Sequence, residues 1–180
     1  DGAQPAGDGA AGAAERRGNL VVAQALRLPH GDAAEAVVTE PGEEPLVLVA
    51  LSSTFQDHVA CLQRIADALG TMPVRAVLTT GPTIDPTEVK ARANVVVTRS
   101  APHTQVLEHA AAVVTHGGHG TVVKALAAGV PLVVMPHGRD QVDNATRVTA
   151  RGAGVNVKNT AKPEAIVAAV RTVLDDPSYA

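Results

Sequence analysis

The residues with the most chemical content lie in the stretch 111–136, AAVVTHGGHGTVVKALAAGVPLVVMP. An apolar strand pattern runs straight into His116-Gly117-Gly118-His119-Gly120-Thr121, where a helical pattern starts that closes at Gly129. Three glycines at a strand-to-helix turn let backbone N–H groups come close to a ligand, and the new helix directs its unpaired N–H groups and positive dipole end at the same point. The chemistry on offer is the cradling of a diphosphate. The pattern is neither GxxxxGK[ST] nor GxGxxG, and a glycine-rich corner made only to turn the chain is the competing explanation. Histidines at 103, 109, 116, 119 and 137, with His116 and His119 three apart, raise the question of a metal. Zinc needs three or four converging ligands, which a Gly-rich loop does not guarantee, so no metal is expected. A hydrolase is disfavoured, because there is no GxSxG and neither Ser52 nor Ser53 has a neighbouring signature for a base.

The elements that must position this turn follow a regular alternation. Short β-rich apolar runs occur at Leu46–Leu51, Val74–Thr80, Val95–Thr98, Ala112–Thr115, Leu132–Met135 and Gly154–Val157, with helical patterns among the segments between them. Such alternation predicts α/β architecture: a Rossmann-like, mostly parallel sheet of about six strands with helices on both faces. Val59, Leu62, Ile65, Ala66 and Leu69 give one helix face after Asp57, ending at Gly70, with Cys61 as a packed thiol within it. Asp140 reads as an N-cap for a helix with Val142, Ala145 and Val148 on one face and Gly152 as its αL stop. A last helix starts at Pro163 and ends before Pro177. Residues 1–18, built of Gly, Ala, Asp and Pro without apolar period, read as a flexible linker or tail; 19–45 is a linker region of uncertain structure; and 46–180 is the folded domain.

Composition narrows the partners. The chain has 180 residues, 46% of them hydrophobic, and a formal net charge of −3, which offers no general attraction to a phosphate backbone. Phe55 and Tyr179, the two aromatic residues among Phe, Trp and Tyr, cannot form a base-stacking platform, so nucleic acid is not an expected partner. One cysteine excludes an intrachain disulfide, and no apolar run approaches the ~20 residues of a membrane span. A cytoplasmic setting is the expectation. The start at Asp1, without a secretion-signal pattern or an initiator methionine, suggests a processed or excised piece.

The ordered series Asn94-Val95, Pro102-His103, Val106-Leu107, Thr115-His116-Gly117-Gly118, Gly129-Val130-Pro131, Pro136 and Asp140-Gln141 with Asn144-Ala145 resembles the donor-binding half of family 1 glycosyltransferases. These are the UDP-glucuronosyl, plant and bacterial macrolide-type enzymes of GT-B fold. The resemblance covers Pro45 to about Asp176, and Asp140 follows His116 by 24 residues, as the family's histidine and Asp-Gln pair do. It implies that His116 meets the diphosphate, where an imidazole at a helix N-terminus donates to phosphate oxygen; a histidine that merely holds a neighbouring loop is the alternative. Gly118, His119, Gly120 and Thr121 correspond to the turn that sets N–H and hydroxyl groups on the phosphates, and Thr121 also suits a helix cap. Asp140 and Gln141 match the pair used on hexose hydroxyls, Asp140 being equally explained as a plain N-cap. Ser53 and Thr54 match the loop that closes over diphosphate and sugar.

Two positions depart from the family pattern. Ser100 stands where many members stack a Trp on the base, leaving backbone groups near Ala101 and His103, or aliphatic packing, to recognise it. Lys124 stands where a glutamate usually holds the ribose hydroxyls; it has donors but no acceptor, and a solvated helix residue is its plainer reading. The nucleotide, UDP or dTDP, is thereby left open. The resemblance implies a nucleotide sugar as substrate, no cofactor and no obligatory metal, and an N-terminal acceptor-binding domain in cis or in trans. Inverting transfer of a hexose to a hydroxyl of a small lipophilic acceptor, such as a natural product, would need both halves. The acceptor site and general base belong to that other half, so no catalytic residue is assigned in this chain and little activity is expected from it alone. The alternatives are a separate donor-binding subunit of a two-chain transferase, and a non-catalytic Rossmann-like nucleotide-binding module.

Overall fold

The computed structural model describes residues 42–51 and 58–180. Along them run β1 (Leu46–Ala50), α1 (Val59–Leu69), β2 (Arg75–Thr79), β3 (Val95–Thr98), α2 (His103–Leu107), β4 (Ala110–Thr115), α3 (His119–Ala127), β5 (Leu132–Val134), α4 (Gln141–Ala150), β6 (Gly154–Asn156) and α5 (Pro163–Asp175). Single 3-10 turns sit at Pro86–Glu88 and Pro177–Tyr179. The strands form one sheet in the order β3-β2-β1-β4-β5-β6, every neighbouring pair parallel. All six expected runs are strands, with ends shifted by no more than two residues.

Burial on both faces explains the unbroken apolar runs. Val47 and Val49 of β1 pack with α1 and α5 on one side, while Leu46, Leu48 and Ala50 face α2, α3 and α4 on the other. Every residue of β1, β2 and β3 is buried. Such strands cannot alternate polar and apolar as an open antiparallel sheet does. Within α1, Cys61 is buried, and desolvation raises its thiol above the usual range despite the opposing charge of Arg64. It packs as a small hydrophobe.

The helix ends carry one correction. Gly152 follows α4 with φ of +65°, as expected of an αL stop. Asp140 does occupy the residue before α4, but its side chain does not cap the helix. Its backbone is already helical (φ −67°, ψ −10°), whereas a capping side chain folds back from extended backbone. The carboxylate instead accepts from Asn144 Nδ2 at 3.2 Å.

Asn94, just before β3, ties the first half of the sheet together. Its buried Nδ2 donates to the carbonyls of Leu69 (2.9 Å), Val74 (2.8 Å) and Met72 (3.2 Å), closing the α1–β2 connection against β3. An alanine there would remove one donor from each of these carbonyls, of which Leu69 and Met72 would keep only the amides of Met72 and Val74. Asn94→Ala is expected to lower stability by about 2 kcal/mol, read as a shift of the urea midpoint with unchanged slope.

Candidate functional site

Strand order reverses between β1 and β4, which are neighbours although three crossovers separate them in sequence. Because both strands run the same way, the chain leaves them at the same edge, at Leu51 and at His116. Ligands of open α/β sheets collect at such a point, outside the carboxyl ends of the strands. Two hollows meet there and share Leu51 and His103. One, about 320 Å³, is lined also by His116, Gly118, His119, Gly120, Thr121 and Lys124. The other, about 370 Å³, continues along Thr79, Gly81, Pro82, Arg99, Ser100 and Ala101.

The turn after β4 is held in one shape. Gly117 has φ of +89°, and a Cβ there would stand 2.8 Å from Val134 Cγ1, so glycine alone fits without strain. Its amide donates to Thr115 Oγ1 (3.3 Å) and its carbonyl accepts from Asn144 Nδ2 (2.9 Å). Asn144 bonds Asp140 as well, so one buried amide joins the turn after β4 to the turn after β5. Gly118 precedes α3 and supplies no side chain to cap it. The first amides of α3 therefore keep their donor capacity where His119 and Gly120 line the hollow.

His116 is buried behind this turn. A Cβ on Gly118 would lie 2.5 Å from its Nε2, which sets that nitrogen on the side of the open helix end. Its buried Nδ1 has no hydrogen-bond partner, and the Ala50 carbonyl at the end of β1 favours the protonated ring. Desolvation, aided by His137, lowers the pKa of the ring below the usual histidine value, against the pull of Ala50 and Asp140. His137 is also lowered, by burial first and by Arg64; its Nδ1 donates to the Met135 carbonyl at 2.9 Å. His58, which no sequence motif marks, completes an array: its ring packs 4.1 Å from that of His137 and edge-on, 6.5 Å, to that of His116.

His103 opens the short α2 and borders both hollows. Thr79 Oγ1 donates its proton to the Val49 carbonyl (3.0 Å), so its contact with His103 Nε2 at 3.4 Å requires the proton on that nitrogen. Burial lowers the pKa of His103, and Lys124 lowers it further. Lys124, exposed on α3, lines the same hollow as His103.

The expected site residues are thus mostly gathered. Ala101 and His103 stand on the larger hollow, and His103, His116, Gly118, His119, Gly120 and Thr121 on the smaller. Asp140 is exposed beside them and Gln141 is buried, and neither lines a hollow. Gln141 Oε1 accepts from the His137 amide at 2.8 Å, which leaves its Nε2 for any other partner. Arg139, before this pair, is held at φ of 57°, a strained setting for a residue with a side chain. Ser53 and Thr54 lie outside the described residues. Among the described residues no group of three or more His, Cys, Asp or Glu could hold a metal ion, and no helix is long and apolar enough to cross a membrane. What the arrangement offers is a set of hydrogen-bond donors and a cation around a hollow at a helix N-terminus, suited to an anion.

Two glycines separate structural from ligand-side constraint. Gly117→Ala combines a positive φ with a 2.8 Å approach to Val134, and is expected to cost roughly 2–3 kcal/mol in urea unfolding. Gly120→Ala meets nothing within 4 Å and lies in α3, so stability should hold or rise by up to about 1 kcal/mol. Acid should destabilise the fold as well. His103, His116 and His137 are held neutral, so the unfolded chain binds more protons, and stability present above the ordinary histidine value of 6.5 is lost as pH falls below it. His137→Gln should flatten that loss in unfolding curves taken at successive pH values.

Residues 16–180 match the family description UDP-glucoronosyl and UDP-glucosyl transferase. The 4'-demethylrebeccamycin synthase of Lentzea aerocolonigenes is 40% identical over 136 residues, which are 75% of this chain and 32% of that protein. The NDP-glycosyltransferase YjiC of Bacillus subtilis (strain 168) is 31% identical over 144 residues, 79% of this chain and 37% of the relative. The crystal structure of CalG4, the calicheamicin glycosyltransferase, superposes with a TM-score of 0.72 at 33% identity, over 76% of this chain and 36% of that one. The chain spans about a third of the length of these relatives. The sheet described above is accordingly shared with GT-B glycosyltransferases. The chain belongs to family 1 of the glycosyltransferases, the UDP-glucuronosyl and UDP-glucosyl transferases.

Proposed function

We propose that this chain is the donor-binding half of an inverting glycosyltransferase, holding a nucleoside diphosphate sugar, UDP- or dTDP-linked, for transfer of the hexose to a hydroxyl of a small lipophilic acceptor. The observation that carries the reading is the open N-terminus of α3 beside His116, set in the cleft where strand order reverses. The diphosphate sits against the His119 and Gly120 amides, the Thr121 hydroxyl and His116 Nε2, with Lys124 adding charge. The nucleoside extends toward Ala101 and Ser100. The hexose lies beside Asp140, with Gln141 Nε2 the free end of that amide. Charge that grows on the leaving diphosphate meets donors already fixed in place, the arrangement that lowers a barrier without reorganisation. No metal is required for this step, because the helix end and the histidine supply the positive potential.

The general base that deprotonates the acceptor belongs to an N-terminal acceptor-binding domain, in cis or in trans. On this reading the chain alone binds donor but transfers little sugar.

His116 adds a testable consequence. Burial disfavours the charged ring in the empty cleft, whereas a diphosphate beside Nε2 favours the imidazolium, so the ring takes up a proton when the diphosphate arrives. UDP-glucose carries no group of its own that titrates near neutrality. Calorimetric titration with UDP-glucose and dTDP-glucose near pH 7.5, in buffers of different ionisation heat, should show proton uptake on binding and affinity that rises as pH falls toward about 6.5. His116→Ala should weaken binding about tenfold or more and abolish the uptake. Saturable binding of NAD in place of either sugar nucleotide, indifferent to His116, would overturn the proposal.

A further inference from the structure

The larger hollow poses a question that the diphosphate end does not. Its walls are Leu51, Thr79, Gly81, Pro82, Ser100 and Ala101, with His103 at the shared border, so no phenyl or indole ring among the described residues is there to stack on a base. Two planar groups border it: the His103 imidazole, whose Nε2 faces Thr79 Oγ1 at 3.4 Å, and the Arg99 guanidinium. Arg99 follows β3 and lines the hollow; its Nη1 donates to the Pro82 carbonyl at 3.1 Å, and its Nη2 lies 3.7 Å from Asp85 Oδ2. Both contacts are made by the terminal nitrogens, and the side chain stays half exposed on the hollow.

The anchor is itself built. Asp85 caps the 3-10 turn Pro86–Glu88: its Oδ1 accepts from the Thr87 amide (2.9 Å) and hydroxyl (2.7 Å), while Glu88 Oε1 accepts from the Asp85 amide (3.1 Å). Thr80, at the root of the same loop, donates to the Ile84 carbonyl at 2.9 Å. The segment 81–85 is thus braced at both ends. Arg99 reaches across from β3 to this braced loop, which limits the rotamer freedom of a side chain that is 49% exposed.

We infer that Arg99 is the base platform of this cleft: its clamped guanidinium stacks on the nucleobase in place of an aromatic ring, and so sets affinity for the nucleoside part of the donor. This deepens the function proposed above and rests on that reading. A delocalised, weakly hydrated guanidinium stacks on π faces, which a point-charge ammonium does poorly. The residue stands one position before Ser100, so the platform comes from the neighbouring residue and from the opposite loop's grip on it.

The test is calorimetry on this chain with two probes, UDP and the base-free methyl diphosphate. Arg99→Ala is expected to weaken UDP about tenfold while methyl diphosphate changes less than about twofold. Arg99→Lys should recover little of the loss, since charge without a plane is not the operative feature. Asp85→Ala, which frees the clamp without touching the guanidinium, should weaken UDP alone by a smaller factor. Adding Ser100→Trp to Arg99→Ala should restore UDP affinity by supplying a ring. Unchanged UDP binding in Arg99→Ala, equal losses for both probes, or full recovery by lysine would each overturn the platform and leave the diphosphate cradle standing. A chain that binds neither probe overturns the donor-binding reading and this inference with it.

Discussion

A parallel sheet with helices on both faces must reverse its strand order once, and that reversal leaves a crevice which no crossover covers. In this protein the crevice falls between β1 and β4. Everything chemical depends on it. Leu51 and His116 are brought together only because two strands distant in sequence are neighbours and parallel. The helix that starts from β4 then presents its amides at the mouth of the crevice and not to bulk solvent. Helices α1 and α5 hold one face of the sheet and α2, α3 and α4 the other, so neither face is available for a ligand.

The crevice would have little use without rigid walls. Asn144 binds Gly117 and Asp140 at once, and Gln141 holds the His137 amide, so hydrogen bonds tie the turns after β4 and β5 together. Two polar residues that a sequence assigns to a ligand are therefore also the mortar between loops. The roles are compatible: an amide has an acceptor end and a donor end. Gln141 commits its oxygen to the protein and keeps its nitrogen. Preorganisation of this kind is what lets hydrogen-bond donors stabilise a developing anion without first being gathered.

The strands were legible because burial on both faces leaves a continuous apolar run, a signal that needs no knowledge of partners. The turn at 116–121 was legible because glycine, strand end and helix start coincide there. The Asp140 side chain was not, since capping depends on a backbone angle that composition does not report. His58 carried no motif; it matters through rings contributed by two later turns, and such contacts between distant segments have no local spacing. Lys124 is both solvated and on the rim of the smaller hollow, a placement that helical position alone does not reveal. Arg99 was not legible for a related reason: its guanidinium is placed by the Pro82 carbonyl and Asp85, on a loop some fifteen residues earlier, and such contacts leave no mark in the local sequence.

The histidines give the site its character. Three rings, His58, His116 and His137, lie in contact in a partly buried space, with His116 and His137 pushed toward the neutral form by desolvation. Charging any one of them in the empty site would set it against its neighbours and against burial. A diphosphate reverses that balance, because its negative charge favours the imidazolium and the open helix end favours the anion. On the donor-binding reading proposed above, burial disfavours the charged form of His116 in the empty cleft and the diphosphate favours it in the filled one. A permanently cationic residue such as arginine in place of His116 would bind phosphate as well, but would burden the unliganded fold with a buried charge. On the proposed reading, histidine spares the empty domain that cost and takes up its charge with the ligand.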